Sequence, residues 1–174
     1  YKVILFDLDG TLTESGEGIT KSVQYALEKL GKPEDDLKKL EVFVGPPLLQ
    51  QFMEYAGLDE ETGIKAVEYY RERYSTVGIF ENQPYPGVEE MLDTLCQKGY
   101  TLAVASSKPE YFVKKILDHF GLTGYFSEIV GSEMSGKRTG KAEVIEEVLA
   151  RLNMQNHRDE VIMVGLSLIH ISEP

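Results

Sequence analysis

Four short runs of apolar residues are spaced along the chain, and each ends in small or polar residues. Runs of this length, bounded by Gly, Asp or Ser, are typical of buried β-strands. The later runs alternate with segments in which apolar residues recur at helical spacing. This alternation predicts an α/β fold with a Rossmann-like core, built on a doubly wound parallel sheet. The strand candidates are Val3 to Phe6, Thr101 to Ala105, Glu128 to Val130 and Val161 to Val164, and the helix candidates are Gly87 to Lys98, Glu110 to Phe120 and Lys141 to Leu152.

The stretch from about Glu14 to Ile79 follows a different pattern. Apolar residues such as Val23 and Leu27 recur at helical spacing, and the brief Val42-Phe43-Val44 run is its one strand candidate. We therefore predict an inserted helical module over residues 15–79, with residues 1–14 and 80–165 forming the sheet-containing core. The alternative is a long crossover of packed helices with no separate role.

The first predicted strand ends on two carboxylates, Asp7 and Asp9. Ligands of open α/β sheets bind at the carboxyl ends of the strands, and alternation along a strand lets these two side chains face the same way. Two close like charges persist best when a cation or a shared proton compensates them. The segment therefore predicts a place for a metal ion and a nucleophile. The alternative is a plain strand that ends in an Asp-Gly turn.

Composition and charge narrow the classes of function. The formal net charge of −11 argues against a nucleic-acid or anionic-membrane surface as a partner. No apolar stretch approaches the length of a membrane span, and the N-terminal apolar run is too short for a signal peptide. A single cysteine, Cys96, excludes an internal disulfide and fits a reducing compartment, so a cytoplasmic location is expected. Its place beside Leu92 and Leu95 predicts that Cys96 is a core residue.

The segment from Asp7 to Leu12, which reads Asp-Leu-Asp-Gly-Thr-Leu, resembles the first motif of the haloacid dehalogenase superfamily. The helical insertion resembles the cap of that superfamily, and the similarity runs from residue 2 to Gly165. It is greatest to the phosphoglycolate-phosphatase-like and 5′-nucleotidase-like phosphatases. The resemblance implies an Mg²⁺-dependent phosphomonoesterase whose substrate is a small phosphorylated metabolite, phosphoglycolate or a nucleoside monophosphate. A dehalogenase of this superfamily lacks a second Asp, so Asp9 favours phosphoryl transfer.

The resemblance also implies roles for the two carboxylates. Asp7 would attack phosphorus and form an aspartyl-phosphate, which divides hydrolysis into two easier displacements. Asp9 would protonate the leaving alkoxide and then deprotonate the attacking water. Both residues would contribute to the Mg²⁺ site.

Two further catalytic residues follow from the same resemblance. Ser106 closes the second strand and would donate a hydrogen bond to a phosphoryl oxygen, although a strand-end serine that caps the next helix is the alternative. Lys141 would neutralise the Asp7 nucleophile and the phosphoryl group. Lys137 and Arg138 lie on the same Gly-rich loop and remain alternatives for this cation.

The expected substrate contacts lie in three segments. Backbone N–H groups at the Gly10 turn would face phosphate oxygens, residues after the second strand would reach the same oxygens or the substrate, and the cap loop would help to select the substrate. The candidates are Gly10, Thr11, Ser107 and Lys108 in the core, with Phe43 and Gly45 in the Phe43-to-Pro47 cap loop.

The last strand departs from the family pattern. In the family, carboxylates that complete the Mg²⁺ site follow this strand, whereas here no carboxylate occurs between Gly165 and Glu173. Residues 166–174 resemble a translation of the transposase adapter used in tagmentation libraries. We therefore expect a truncated gene with an adapter-derived tail and an impaired chain; a divergent C-terminus is the alternative.

Two rival functions remain open. A sugar phosphomutase of the same superfamily uses the same two carboxylates but returns the phosphoryl group to a sugar. A non-catalytic domain that binds a phosphorylated metabolite is the rival from a different class, and it applies above all to the truncated chain.

Overall fold

The computed structural model describes residues 1–165, and the expectation for residues 166–174 lies outside this range. The chain divides into two compact units. Among the described residues, the core unit contains 1–13 and 84–165, and the helical unit contains Glu14–Gln83. The helical unit therefore covers residues 14–83, whereas the sequence pattern predicts residues 15–79.

A parallel four-stranded sheet forms the centre of the core unit. Its strands lie in the order β5 (Glu128–Ser132), β4 (Thr101–Pro109), β1 (Val3–Phe6) and β6 (Val161–Val164). Val3 pairs with Thr101 of β4 on one side and with Val161 of β6 on the other. The predicted α/β fold with a parallel sheet is therefore confirmed. The strands are β1 (Val3–Phe6), β2 (Thr13–Glu14), β3 (Gln83–Pro84), β4 (Thr101–Pro109), β5 (Glu128–Ser132) and β6 (Val161–Val164), of which β2 and β3 pair as a separate two-stranded sheet.

Helices flank this sheet where the apolar spacing predicts them. They are α4 (Val88–Gln97), α5 (Glu110–His119) and α6 (Lys141–Leu152). The apolar side of α6 packs on the sheet because its residues at helical spacing meet the near-continuous apolar runs of the parallel strands. The resulting core cluster contains Val3, Leu5, Ala103, Ala105, Val130, Val144, Ile145, Val148, Leu149 and Val161.

Strand β4 is longer than the apolar run predicts, since it continues through Ser106 to Pro109. Its register to β5 shifts between Ala105 and Pro109, where Pro109 pairs with Ser132. The backbones approach closely here: a Cβ on Gly131 would lie 2.4 Å from the Lys108 carbonyl oxygen. Only glycine fits at position 131, where the polar part of β4 approaches β5 closely.

The helical unit contains α1 (Gly16–Lys29), α2 (Leu48–Ala56) and α3 (Glu60–Tyr74), with 3-10 turns at Leu37–Phe43 and Gly78–Phe80. The Val42–Val44 strand candidate is therefore wrong, because its first two residues complete a 3-10 helix. Asp36 caps that helix, since its side chain accepts a hydrogen bond from Lys38 N at 3.0 Å. This local capping outweighs the preference of Val and Phe for strands.

Cys96 is exposed, so its predicted place in the core is wrong. Val88 and Leu92 form the buried stripe of α4, and Cys96 lies beside that stripe with its Sγ 3.6 Å from Tyr125 O. Among residues 1–165, no helix has the length and apolar character needed to cross a membrane.

Candidate active site

Asp7 lies directly after β1 and is 5% exposed. Its N–H donates to Val164 O at 3.0 Å, which continues the sheet, and its Oδ1 accepts a hydrogen bond from Leu8 N at 2.8 Å. Burial raises the pKa of this carboxyl group above its ordinary value; the charge of Lys141 opposes that rise, and Asp9 adds to it. The side chain is therefore a buried carboxylate that needs a cation to stay ionised.

Lys141 supplies that cation. It is the first residue of α6, and its Nζ lies 2.9 Å from Asp7 Oδ1 with the side chain 11% exposed. The same Nζ donates to Ala105 O at 3.5 Å, which holds the ammonium at the end of β4. Of the alternatives on the preceding loop, Lys137 is exposed and Arg138 donates from Nε to Gly131 O. The structure thus brings Lys141, the residue chosen from the sequence, to the predicted nucleophile.

Asp9 forms a second buried ion pair. Lys108 Nζ lies 3.1 Å from Asp9 Oδ1, and each side chain is 6% exposed. The sequence assigned Lys108 only to substrate binding and gave no partner to Asp9. The available signal is the position of Lys108 in the polar last part of β4, the strand next to β1. Each carboxylate at the end of β1 therefore has its own lysine.

The turn after Asp9 uses the backbone N–H groups that were expected to face phosphate. Gly10 N donates to Thr13 O at 2.9 Å, and Thr11 N donates to Leu8 O at 3.1 Å. Gly10 has a φ of 79°, in the left-handed region that favours glycine. Both N–H groups donate within the turn in this structure, and the expected contact of Gly10 and Thr11 with phosphate stays a prediction.

Three buried hydroxyl groups near the turn can donate hydrogen bonds to a ligand. Within residues 1–165, the buried Thr11 Oγ1 and Ser107 Oγ have no hydrogen-bond partner. Ser106 is 2% exposed, and its Oγ accepts from Lys108 N at 3.1 Å, so it orders the end of β4 and does not cap α5. The side chains of Thr11, Ser106 and Ser107 thus keep hydroxyl protons that a buried anion would accept.

Phe43 and Gly45 belong to the helical unit. Phe43 is 1% exposed, and its ring lies 4.9 Å from that of Phe52 and 5.4 Å from that of Tyr55 between centroids. Its side chain therefore forms part of the core of that unit. Gly45 has a φ of 109°, which favours glycine and sets the turn before α2. Their predicted substrate contact stays a prediction.

The chemistry of the donor set fits Mg²⁺ in part. This ion prefers oxygen ligands and is commonly bound through one or two carboxylates together with waters and substrate phosphate oxygens. Lys141 and Leu8 both contact Oδ1 of Asp7, and a Cβ on Gly165 would lie 3.8 Å from Oδ2, so glycine leaves space beside that oxygen. Within residues 1–165, no group of three or more His, Cys, Asp or Glu side chains is placed to hold a metal. Among the described residues, the Asp7 carboxylate and the backbone carbonyl of Asp9 are the groups that would hold the ion.

The fold and this site define a class: an α/β protein with a buried aspartate and lysine at the carboxyl end of a parallel sheet. A family model described as haloacid dehalogenase-like hydrolase matches residues 4–171. The chain belongs to this family, which confirms the resemblance found in the sequence and the expected hydrolase class.

The chain is also similar to individual curated proteins. The chain is 51% identical over 149 residues to the 5′-nucleotidase of Pseudomonas aeruginosa, covering 86% of this chain and 67% of that protein. It is 36% identical over 140 residues to the phosphoglycolate phosphatase of Aquifex aeolicus, covering 79% of this chain and 63% of that protein. A further relative is the tyrosine-protein kinase PtkA of Mycobacterium tuberculosis, 37% identical over 164 residues, with coverage of 94% and 55%.

A solved structure has the same fold. The crystal structure of a predicted phosphatase from Clostridium acetobutylicum is 50% identical, with a TM-score of 0.92, and the match covers 95% of this chain and 76% of that one. The chain spans about half to two thirds of the length of these three curated relatives.

Proposed function

We propose that this site belongs to an Mg²⁺-dependent phosphomonoesterase that acts through an aspartyl-phosphate. The observation that carries the proposal is the buried Asp7–Lys141 pair, with Nζ and Oδ1 2.9 Å apart. Burial alone favours the neutral acid, which is a poor nucleophile, and the adjacent ammonium opposes this effect. Lys141 therefore favours the ionised form of Asp7 and offers positive charge to the phosphoryl group that Asp7 attacks.

The first chemical step is a displacement at phosphorus. A carboxylate oxygen of Asp7 forms the new bond to phosphorus while the ester P–O bond breaks, and the electron pair leaves with the alkoxide oxygen. Asp9, in its acid form, gives a proton to that oxygen, so the alcohol departs neutral. The hydroxyls of Thr11 and Ser107, which have no hydrogen-bond partner within residues 1–165, are the donors for the phosphoryl oxygens.

The second step reverses these roles. Asp9 removes a proton from water, the water oxygen bonds to phosphorus, and the aspartyl P–O bond breaks to release phosphate and restore Asp7. Bound Mg²⁺ would supply further positive charge for the phosphoryl oxygens, and the Asp7 carboxylate and the backbone carbonyl of Asp9 would hold it. Lys108 fixes the position of Asp9 through their buried ion pair.

The substrate class comes from the relatives. Proteins named 5′-nucleotidase and phosphoglycolate phosphatase match most of the chain, so we take nucleoside monophosphates and phosphoglycolate as the first substrates to test. Both are small phosphate monoesters, and both leave as alkoxides that require a proton from Asp9.

The test measures release of inorganic phosphate from p-nitrophenyl phosphate, a nucleoside 5′-monophosphate and phosphoglycolate, with and without Mg²⁺. Two proteins are compared: the 174-residue chain, and a chimera in which residues 166–174 are replaced by the matching continuation of the Pseudomonas aeruginosa relative. We expect Mg²⁺-dependent release by the chimera and much weaker release by the chain as it stands. Phosphate release without any sugar bisphosphate excludes a phosphomutase requirement, and absence of release from both proteins contradicts the proposal.

A further inference from the structure

Glu110 contacts three segments of the core unit: β5, the loop before α6, and α6 itself. It is the first residue of α5, and its Oε1 accepts a hydrogen bond from Gly131 N in β5 at 3.3 Å. The same oxygen lies 3.1 Å from Arg151 Nη2 in α6 and 3.7 Å from Arg138 Nη2 in the loop before α6. Burial opposes ionisation of Glu110, yet the Gly131 N–H, Lys114 and Arg151 together hold its pKa below the ordinary value. Glu110 is therefore an ionised anchor.

Arg138 connects the loop between β5 and α6 to Glu110. Its Nε donates to Gly131 O at 3.0 Å, and its Nη1 lies 3.8 Å from Glu133. Its backbone has a φ of 54°, a left-handed conformation that is uncommon for a residue other than Gly, Asn or Asp. The fixed fork of the guanidinium group holds three contacts at once, which a lysine cannot do. The side-chain contacts thus maintain a backbone conformation that Arg disfavours.

Arg151 contacts Glu110 from the last turn of α6. Its guanidinium group contacts Glu110 at 3.1 Å, Glu147 at 3.3 Å and Glu128 of β5 at 3.8 Å. Lys141 therefore starts a helix whose preceding loop and last turn are both tied to Glu110. The Nζ of Lys141 lies 2.9 Å from Asp7 Oδ1.

We infer that Arg138 is a positioning residue: held by Glu110 and Gly131, it sets the place of Lys141 against Asp7. The inference rests on the proposed function for the role of Lys141 as the cation of the site. Only Thr139 and Gly140 separate Arg138 from Lys141, so a displacement of the loop moves the start of α6 directly. Catalysis by positioned charge is sensitive to displacements of about 1 Å, which can cost about a hundredfold in rate.

The first experiment needs no turnover and no metal. The 174-residue chain is pulse-labelled with acetic anhydride, and the labelling rate of each lysine is measured by mass spectrometry. Arg138→Asn removes the guanidinium group but keeps a residue that tolerates the left-handed backbone. Lys137→Asn is the matched control, since it removes the same charge from an exposed side chain of the same loop.

We expect Lys141 to be labelled about five- to tenfold faster in Arg138→Asn, as for a lost coupling between neighbouring groups, and at the wild-type rate in Lys137→Asn. Lys108, buried on β4 with Asp9, is the internal reference and should keep its rate in both variants. An unchanged rate at Lys141 overturns the inference. So does a parallel rise at Lys108, which indicates general loosening of the fold.

The second experiment measures p-nitrophenyl phosphate hydrolysis by the chimera. Arg138→Asn should lower kcat about ten- to a hundredfold, Arg138→Lys should restore part of it, and Arg138→Asn should have no further effect in a Lys141→Gln background. If Arg138→Asn lowers kcat by the same factor with Lys141 present and in the Lys141→Gln background, its role is merely structural, and the inference is contradicted. If no form hydrolyses the ester, the proposed function fails, while the labelling result still decides the role of Arg138.

Discussion

Lys141 Nζ lies 2.9 Å from Asp7 Oδ1, and this contact joins the start of α6 to the end of β1 in a parallel sheet. It is the relationship on which the proposed chemistry depends. A buried carboxylate beside a buried ammonium is costly to desolvate, and removing one partner leaves the other uncompensated. The pair is therefore expected to influence both turnover and stability.

Lys141→Met tests both effects. Burial raises the pKa of Asp7 and Lys141 opposes it, so the variant raises that pKa further. Above pH 3.8, the ordinary Asp value, the Asp7 carboxyl group keeps its proton in the folded state but has lost it in the unfolded chain. The free energy of unfolding of the variant therefore falls as the pH rises above this value. The loss in free energy of unfolding should be small at about pH 3.5 and larger at about pH 7 in urea titrations. The exposed Lys137→Met is the control, and an equal loss at both pH values contradicts this reasoning.

Asp9→Asn tests the acid–base role. Loss of a general acid typically costs about a hundredfold to ten-thousandfold in rate, and the cost depends on how much the leaving group needs a proton. We expect the chimera with Asp9→Asn to lose much less activity on p-nitrophenyl phosphate than on an alkyl phosphate. If good and poor leaving groups suffer alike, Asp9 acts through structure or metal binding instead.

Lys108→Met tests the second ion pair. With Asp9 and Lys108 each 6% exposed, removal of the lysine alone leaves a buried carboxylate uncompensated, and we expect a loss of about 3 kcal/mol in free energy of unfolding. Adding Asp9→Leu should recover part of that loss, because the second change removes the uncompensated charge. Chemical denaturation of both single variants and the double variant measures the coupling, and strict additivity refutes it.

These predictions show where sequence reasoning succeeded and where it stopped. The apolar runs that became β1 and β6, and the spacing that became α6, are local signals, so Val3–Phe6, Val161–Val164 and Lys141–Leu152 have the predicted bounds. The polar part of β4 lies in close contact with Gly131 of β5, and the exposure of Cys96 depends on which side of α4 meets its neighbours. Neither is encoded in a local window.

The same division applies to the site. The motif after β1 identified Asp7 and Asp9, and the loop before α6 offered Lys141 with two rivals. The choice between the three cations and the pairing of Lys108 with Asp9 depend on distances across the sheet. Hydrogen bonds within the Gly10 turn were also beyond the pattern, since a motif does not show which N–H groups the turn itself consumes.

The loop after Phe43 tests substrate selection by the helical unit. Phe43 is a core residue of that unit, so the exchange should keep it and replace Val44, Gly45, Pro46 and Pro47 with the matching residues of the phosphoglycolate phosphatase relative. We expect kcat/KM for phosphoglycolate relative to a nucleoside monophosphate to change more than kcat/KM for p-nitrophenyl phosphate. Uniform loss on every substrate, accompanied by a lower Tm, indicates a folding defect and counts against a role in selection.

The covalent intermediate at Asp7 is the most direct test of the account. The chimera is mixed with substrate and Mg²⁺, quenched in acid within the first turnover, and digested for mass spectrometry. We predict a phosphoryl group on the peptide that contains Asp7, a beryllofluoride adduct at the same residue, and neither in Asp7→Asn. A phosphoryl group on another residue, or full turnover by a folded Asp7→Asn protein, would contradict the central claim.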